Sequence, residues 1–180
     1  TPERPIAMNL QSTDFELFGV PPRFAQDLPA LDARWKELQR QVHPDRFAAQ
    51  GAAAQRVAAQ WSARINQAYR RLKDAQQRAA YLCELHGEPL RAESNTAMPA
   101  DFLLHQMALR EQLDEAAGAA DLERIASESA SIQRELLQKI EHQMDVADDW
   151  RGAAQSVRAL MFLDKLAADI ERRHETLESN

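Results

Sequence analysis

The chain has 180 residues, of which 44% are hydrophobic and 28% are charged, a composition ordinary for a protein that buries one or two small cores. Glycine is scarce, whereas Ala, Leu, Gln, Glu and Arg are abundant, so we expect an all-α fold. The single cysteine, Cys83, excludes an intrachain disulfide and a cysteine-based metal cluster. No apolar run approaches the ~18 residues of a membrane span and no signal peptide is visible, so we expect a cytoplasmic protein.

The net charge of −6 is unevenly distributed along the chain. Residues 23–78 contain eleven Lys and Arg against five Asp and Glu, whereas nine basic and seventeen acidic residues follow from Pro99 onward. Opposite net charges in the two halves suggest two domains with different partners. The whole chain is acidic, so we do not expect a nucleic-acid partner.

The first half of the chain predicts an antiparallel helical hairpin with short flanking helices. Residues 14–18 form a short helix closed by Gly19, and Asp27 is placed to cap the next helix. Apolar residues at helical spacing predict the buried faces of two long helices, the second from about residue 52 to 72. These residues are Leu31, Trp35, Leu38 and Val42, followed by Val57, Trp61, Ile65, Tyr69 and Leu72.

The second half predicts a three-helix bundle that starts near Pro99. Its core stripes are Phe102, Leu109, Leu113 and Ala116 in the first helix, Leu122, Ile125, Ile132, Leu136 and Ile140 in the second, and Leu160, Leu163, Ala167 and Ile170 in the third. We therefore divide the chain into a disordered start or non-native remnant (1–12), a first domain (13–87), a linker (88–98) and the bundle (99–176).

The first bundle helix has more apolar surface than a bundle core requires. At about 100° per residue, Leu103, Leu104 and Met107 lie roughly opposite the core stripe, and Glu111 and Glu115 continue that side. Exposed apolar residues with acidic neighbours are typical of a protein-binding surface. In the third helix, Phe162 lies roughly 130° from the core stripe, and it is a plausible companion to this surface, although Met161 and Trp150 also lie off the stripe.

Between the two long helices of the first domain stands the tripeptide His43-Pro44-Asp45, where proline ends the first helix. The basic helix that ends in Gln41-Val42-His43-Pro44-Asp45-Arg46-Phe47, followed by a helix with Ile65-Asn66-Gln67-Ala68-Tyr69-Arg70-Arg71-Leu72, resembles a J-domain. The resemblance implies that His43, Pro44 and Asp45 stimulate ATP hydrolysis by a DnaK-class chaperone. It also implies that Arg34, Lys36, Arg40 and Arg46 dock on an acidic surface of that chaperone, although the family more often has Lys at the position of Arg46.

The whole chain from about Thr13 is similar to the HscB type of J-domain co-chaperone of iron–sulfur cluster assembly. Four further stretches carry this resemblance: 14–19 (DFELFG), 78–87 (RAAYLCELHG), 109–115 (LREQLDE) and 162–166 (FLDKL). The resemblance implies two partners, the chaperone HscA and the scaffold protein IscU. The surface it implies for IscU, called the binding patch below, consists of Leu103, Leu104, Met107, Glu111, Glu115 and Phe162. Ala108 departs from the family pattern, which has an acidic residue there.

Two alternatives stand beside this expectation of an adaptor that has no active site, cofactor or metal. The chain could be a J-domain protein with a different client, or a small helical enzyme that uses His43 and Asp45 as acid and base. The enzyme would need a concave pocket around these side chains. The other histidines, His86, His105, His142 and His174, show no metal-ligand spacing with a cysteine, and Cys83 is expected to be a buried thiol.

Overall fold

The computed structural model describes residues 9–179. In this range the chain forms seven α-helices, one 3₁₀ helix and no strand, which confirms the all-α prediction. The α-helices are α1 (Asp14–Phe18), α2 (Leu28–Val42), α3 (Ala52–Lys73), α4 (Ala75–Leu85), α5 (Ala100–Glu115), α6 (Ala119–Asp145) and α7 (Trp150–Glu178), and the 3₁₀ helix is Pro44–Gln50. No helix in the described range is long and apolar enough to cross a membrane.

The chain divides into two compact units between Arg78 and Ala79, inside α4. The predicted boundaries of the first domain (13–87), the linker (88–98) and the bundle (99–176) stay a prediction. Of the start expected to be disordered, residues 1–8 lie outside the described residues. Residues 9–12 are described and form a turn, in which the backbone N–H of Ser12 donates to the carbonyl of Asn9 at 2.9 Å.

The predicted ends of the first two helices are present with their caps. The Thr13 hydroxyl accepts from the backbone N–H of Glu16, and the Glu16 carboxylate accepts from the backbone N–H of Thr13, which together form a capping box. Gly19 ends α1 at φ 64°, a conformation that glycine adopts without steric cost. The Asp27 carboxylate accepts from the backbone N–H of Ala30 at 3.0 Å and caps α2.

Helices α2 and α3 form the predicted antiparallel hairpin, and polar side chains as well as apolar ones join them. Trp35 Nε1 and Gln39 Nε2 donate to the same Asn66 oxygen, at 2.9 and 2.8 Å. One turn from Trp35, Asp32 accepts from the Tyr69 hydroxyl at 2.6 Å. The residue numbers of the partners rise along α3 as they fall along α2, so the two helices run in opposite directions.

The apolar faces of the hairpin are largely those predicted. Leu31, Leu38, Val42, Ile65 and Leu72 are buried, whereas Trp35, Trp61 and Tyr69 are half-buried. The prediction for Val57 is wrong, because its residue is 53% exposed. Each step of four residues rotates a position by about 40° around the helix. Three such steps separate Tyr69 from Val57, so Val57 lies on a face of α3 that no longer points to the core. Ala58 occupies the buried position there.

A buried ion pair fixes α1 to α3. The Asp14 side chain is fully buried, and its oxygens lie 2.8 Å from Arg64 Nη1 and 2.5 Å from Arg71 Nε. Two guanidinium groups compensate the desolvation of this carboxylate, and removing either would leave a buried charge with fewer partners. Two arginines of the basic first half thus have a structural role.

The second unit contains the predicted three-helix bundle of α5, α6 and α7. Phe102 of α5 contacts Phe162 of α7, and further along both helices Arg110 pairs with Asp169. Helices α5 and α7 are therefore parallel, and α6, which connects them, is antiparallel to both. The core residues of the bundle are Phe102, Leu109, Leu113, Leu122, Ile125, Leu136, Ala159, Leu163, Leu166 and Ile170. The prediction for Ala167 is wrong: Leu166 is buried, and Ala167, about 100° further round α7, is exposed.

Arg158 of α7 holds the segment between α4 and α5. Its guanidinium is buried, and it donates to the carbonyls of Leu90 at 3.0 Å and Ala97 at 3.1 Å. These two residues lie near the ends of the predicted linker, so both ends are hydrogen-bonded to one side chain. The sequence pattern does not predict these hydrogen bonds of Arg158, because Arg158 stands among apolar positions of α7.

Candidate functional site

The tripeptide lies where α2 ends and the 3₁₀ helix begins. The His43 and Asp45 side chains are 57% and 89% exposed. Proline at the first position of the 3₁₀ helix starts a new direction of the chain, and the backbone N–H of Arg46 donates to the His43 carbonyl at 3.0 Å. A tight hydrogen-bonded turn thus presents two polar side chains to solvent.

The ring of His43 is oriented by the turn itself. Its Nδ1 accepts a hydrogen bond from the backbone N–H of Asp45 at 3.3 Å, and an Asp45 carboxylate oxygen lies 3.5 Å from the same nitrogen. A neutral imidazole that accepts at Nδ1 carries its proton on Nε2. Among the described residues Nε2 has no partner, so its N–H is available to donate to another protein.

The four predicted docking residues do not share one face of α2. Lys36 and Arg40 are exposed one turn apart, and Arg46 Nη1 donates to the Arg40 carbonyl at 2.9 Å, so these three cluster beside the tripeptide. Arg34 lies about 160° from Lys36 around the helix. It is half-buried and its guanidinium is 3.1 Å from the Glu37 carboxylate. The structure therefore brings three of the four cations together near the tripeptide.

A charged network beside this cluster was missed by sequence reasoning. The Asp32 carboxylate accepts from Lys73 and from the Tyr69 hydroxyl, and these bonds, that from Lys73 first, hold the pKa of Asp32 below its usual value. The Tyr69 ring also stacks on Trp35, with ring centres 4.9 Å apart. The sequence contains a signal for this network. Asp32 precedes Trp35 by three residues and Tyr69 precedes Lys73 by four, so each pair lies on one face of its helix. This network fixes the helix that carries Lys36 and Arg40.

The apolar surface predicted on α5 is exposed. Leu104 and Met107 are 73% and 69% exposed and Leu103 is 38% exposed, whereas Phe102 and Leu109 on the other side of the helix are buried. A helix with two apolar faces and one buried face leaves the second face in water, which is unfavourable unless a partner covers it. The acidic side chains that continue this face, Glu111 and Glu115, are also exposed.

Phe162, the member of the binding patch on α7, differs from the others because it is half-buried. Its ring meets Phe102 edge to face with centres 5.8 Å apart, and the Arg110 guanidinium lies 5.1 Å from its ring centre. Arg110 is held in turn by Asp169, at 2.5 Å. Phe162 thus borders the exposed face of α5 and also packs on the core.

Cys83 and the histidines offer no further chemical site in the described residues. Burial raises the pKa of the Cys83 thiol to about 12, so almost none of it is thiolate near neutral pH. Within residues 9–179, no group of three or more His, Cys, Asp or Glu side chains is arranged to hold a metal ion.

Comparisons with known proteins find relatives that match almost the whole chain. The family model of the HscB C-terminal oligomerisation domain matches residues 98–171. A co-chaperone protein HscB homolog from Burkholderia mallei is 44% identical over 174 residues, covering 95% of this chain and 99% of that protein. Another from Burkholderia multivorans is 42% identical over 175 residues, covering 96% and 99%.

Two solved structures are similar over most of the chain. Chaperone HscB from Vibrio cholerae has a TM-score of 0.75 and 35% identity, covering 92% of this chain and 99% of that one. The human co-chaperone protein HscB has a TM-score of 0.84 and 26% identity, covering 93% and 84%. Identity of 44% across nearly the whole of both chains is sufficient to assign the family. The chain belongs to the HscB family of co-chaperones.

Proposed function

We propose that this protein stimulates the ATPase of the DnaK-class chaperone HscA and delivers the scaffold protein IscU to it during iron–sulfur cluster assembly or transfer. The observation that carries the proposal is the exposed tripeptide His43-Pro44-Asp45 at the end of a basic helix, in a chain of the HscB family. The protein acts by binding, and the hydrolysis takes place in its partner.

The chaperone end of the proposal is the tripeptide with its neighbouring cations. Lys36, Arg40 and Arg46 steer the protein towards an acidic surface, and such steering raises the association rate more than the affinity. Once docked, the Nε2–H of His43 donates a hydrogen bond to the chaperone. Asp45, whose side chain is largely exposed, accepts one from it.

The client end is the binding patch on the second unit. The contrast between buried Phe102 and exposed Leu104, two residues apart on α5, supports a surface that a partner covers. Methionine at 107 adds a flexible side chain that adapts to a partner's shape. Because the two ends are covalently joined, a bound client is held at high effective concentration near the chaperone.

The proposal is tested by measuring steady-state ATP hydrolysis by HscA while IscU is titrated with and without this protein. Delivery predicts that the IscU concentration for half-maximal stimulation falls when the protein is present, because IscU then reaches HscA as part of a complex. An unchanged half-maximal concentration would contradict delivery. Stimulation of HscA together with no retention of IscU in a pull-down would indicate a J-domain protein with a different client.

A further inference from the structure

A groove between α5 and α6, outside the binding patch, has the properties of a second contact for the same partner. Its volume is about 260 Å³. The apolar side chains that line it include Phe102 and Leu136, which are buried, and Ile132, which is half-buried. A space of this volume is large enough for one or two side chains of a partner.

The rim of the groove is predominantly acidic. Asp101 from α5 and Glu128 and Glu135 from α6 line it, with Lys139 as its one lysine or arginine. In the part of the chain that the structure describes, none of the three carboxylates forms an ion pair. An apolar floor with an acidic rim is complementary to a segment in which an apolar side chain stands beside Lys or Arg.

The position of the groove connects it to the binding patch. Asp101 and Phe102 of the groove belong to the same helix as Leu104 and Met107, so a partner that covers the exposed face of α5 reaches its edge. On the other side of α5, Phe162 and Arg110 pack against each other, and a wide, open depression is lined by Met107, Arg110 and Glu111. Of these two depressions beside α5, the groove towards α6 is the more enclosed.

Interface size also requires more contacts than the binding patch provides. A stable protein–protein interface uses about 20–30 residues from each partner, whereas the binding patch has six. We infer that the α5–α6 groove takes an apolar side chain and an adjacent Lys or Arg of the scaffold protein that covers the binding patch. This inference rests on the proposed function and extends its client site to a second helix.

The test compares charge reversal inside the groove with the same reversal outside it. The groove variant is Glu128→Lys with Glu135→Lys. The control is Glu123→Lys with Glu141→Lys, two exposed glutamates on the side of α6 away from Ile132. Both pairs change the net charge equally, so long-range electrostatics are matched. Binding of IscU is measured by calorimetry at two salt concentrations, after thermal unfolding has shown that both variants are folded.

We expect the groove variant to weaken IscU binding by about tenfold or more and the control by less than about threefold. A second variant, Ser131→Phe, fills the groove without removing core atoms, and it should also weaken binding about tenfold. Ser131 lines the groove and is half-buried. Weaker binding by both groove variants, with the control near the unmodified protein, supports the inference.

Three results would overturn the inference, and each has a different meaning. If the unmodified protein does not bind IscU, the proposed function and the groove contact both fail. If it binds but the groove variants bind equally well, or no more weakly than the control, only the groove contact fails. If the groove variants change the sedimentation mass of the protein alone and leave IscU binding unaltered, the groove is occupied by a second copy of this chain.

Discussion

The backbone N–H of Asp45 donates a hydrogen bond to Nδ1 of His43 at 3.3 Å, and in the neutral tautomer that accepts this bond the Nε2–H is free to donate. The turn therefore orients the ring before any partner is bound. A residue held in its binding geometry loses less conformational entropy on association. This relationship gives the tripeptide a physical basis for its proposed role.

Replacing His43 by Gln should abolish stimulation of HscA while the fold and IscU binding stay unchanged. The His43 side chain is 57% exposed, so its replacement costs little stability. The amide of Gln has an N–H donor, but it lacks the Nδ1 acceptor through which the Asp45 backbone N–H orients the imidazole. Steady-state ATPase measurements with and without the variant test this, with thermal unfolding and calorimetry against IscU as controls. Unaltered stimulation by the folded variant would exclude His43 from the mechanism.

Removal of two cations next to the tripeptide should weaken docking on the chaperone in a salt-dependent manner. With Lys36→Ala and Arg40→Ala we expect the concentration for half-maximal ATPase stimulation to rise by roughly three- to tenfold at low salt and less at high salt. The matched control is Arg56→Ala with Arg70→Ala, which removes the same charge from exposed positions of α3. Equal effects of the two pairs would indicate a response to net charge alone.

Arg34 should contribute less to docking than Arg40. Its guanidinium is half-buried and paired with Glu37, on a different face of α2. We expect Arg34→Ala to change half-maximal stimulation by less than about twofold, since a paired and partly buried cation contributes little to long-range attraction. An effect as large as that of Arg40→Ala would show that the chaperone contacts both faces of the helix.

Truncation of Leu104 and of Phe162 should weaken IscU binding with different effects on stability. Leu104 is mostly exposed, so Leu104→Ala should reduce affinity and leave the melting temperature unchanged. Phe162→Ala also removes an edge-to-face contact with Phe102, and it should cost about 1–2 kcal/mol of unfolding free energy. The double variant should bind most weakly while remaining folded. Calorimetry that finds unaltered affinity in the double variant would contradict the assignment of the binding patch.

The Asp32 carboxylate should stabilise the hairpin above mildly acidic pH. Lys73 and Tyr69 lower its pKa in the folded state, so its stabilisation is fully present above the unfolded pKa of about 3.9 and is lost as pH falls through the folded pKa. The Asp32→Asn variant should therefore melt a few degrees lower than the unmodified protein at pH 7. Between pH 5 and pH 2 its melting temperature should decrease less than that of the unmodified protein. Parallel pH profiles for the two proteins would show that this network does not contribute.

Helical periodicity predicted the core of each unit well where apolar residues keep to one face. The stripe of Phe102, Leu109 and Leu113 was found buried, and its counterpart in Leu104 and Met107 was found exposed. Periodicity failed at Val57 and at Ala167, because steps of four drift around the helix and several faces then satisfy the pattern equally well. Only the packing partner selects among those faces.

The sequence by itself determined the helices, their caps, the position of the tripeptide and the two-faced character of α5, since these depend on local propensity and spacing. The role proposed for the tripeptide rests on the family resemblance. Which side chains meet across helices was decided by the tertiary structure alone. The Asp14 pair with Arg64 and Arg71, the two carbonyls held by Arg158 and the groove between α5 and α6 join residues distant in the chain, and their geometry exists only after packing.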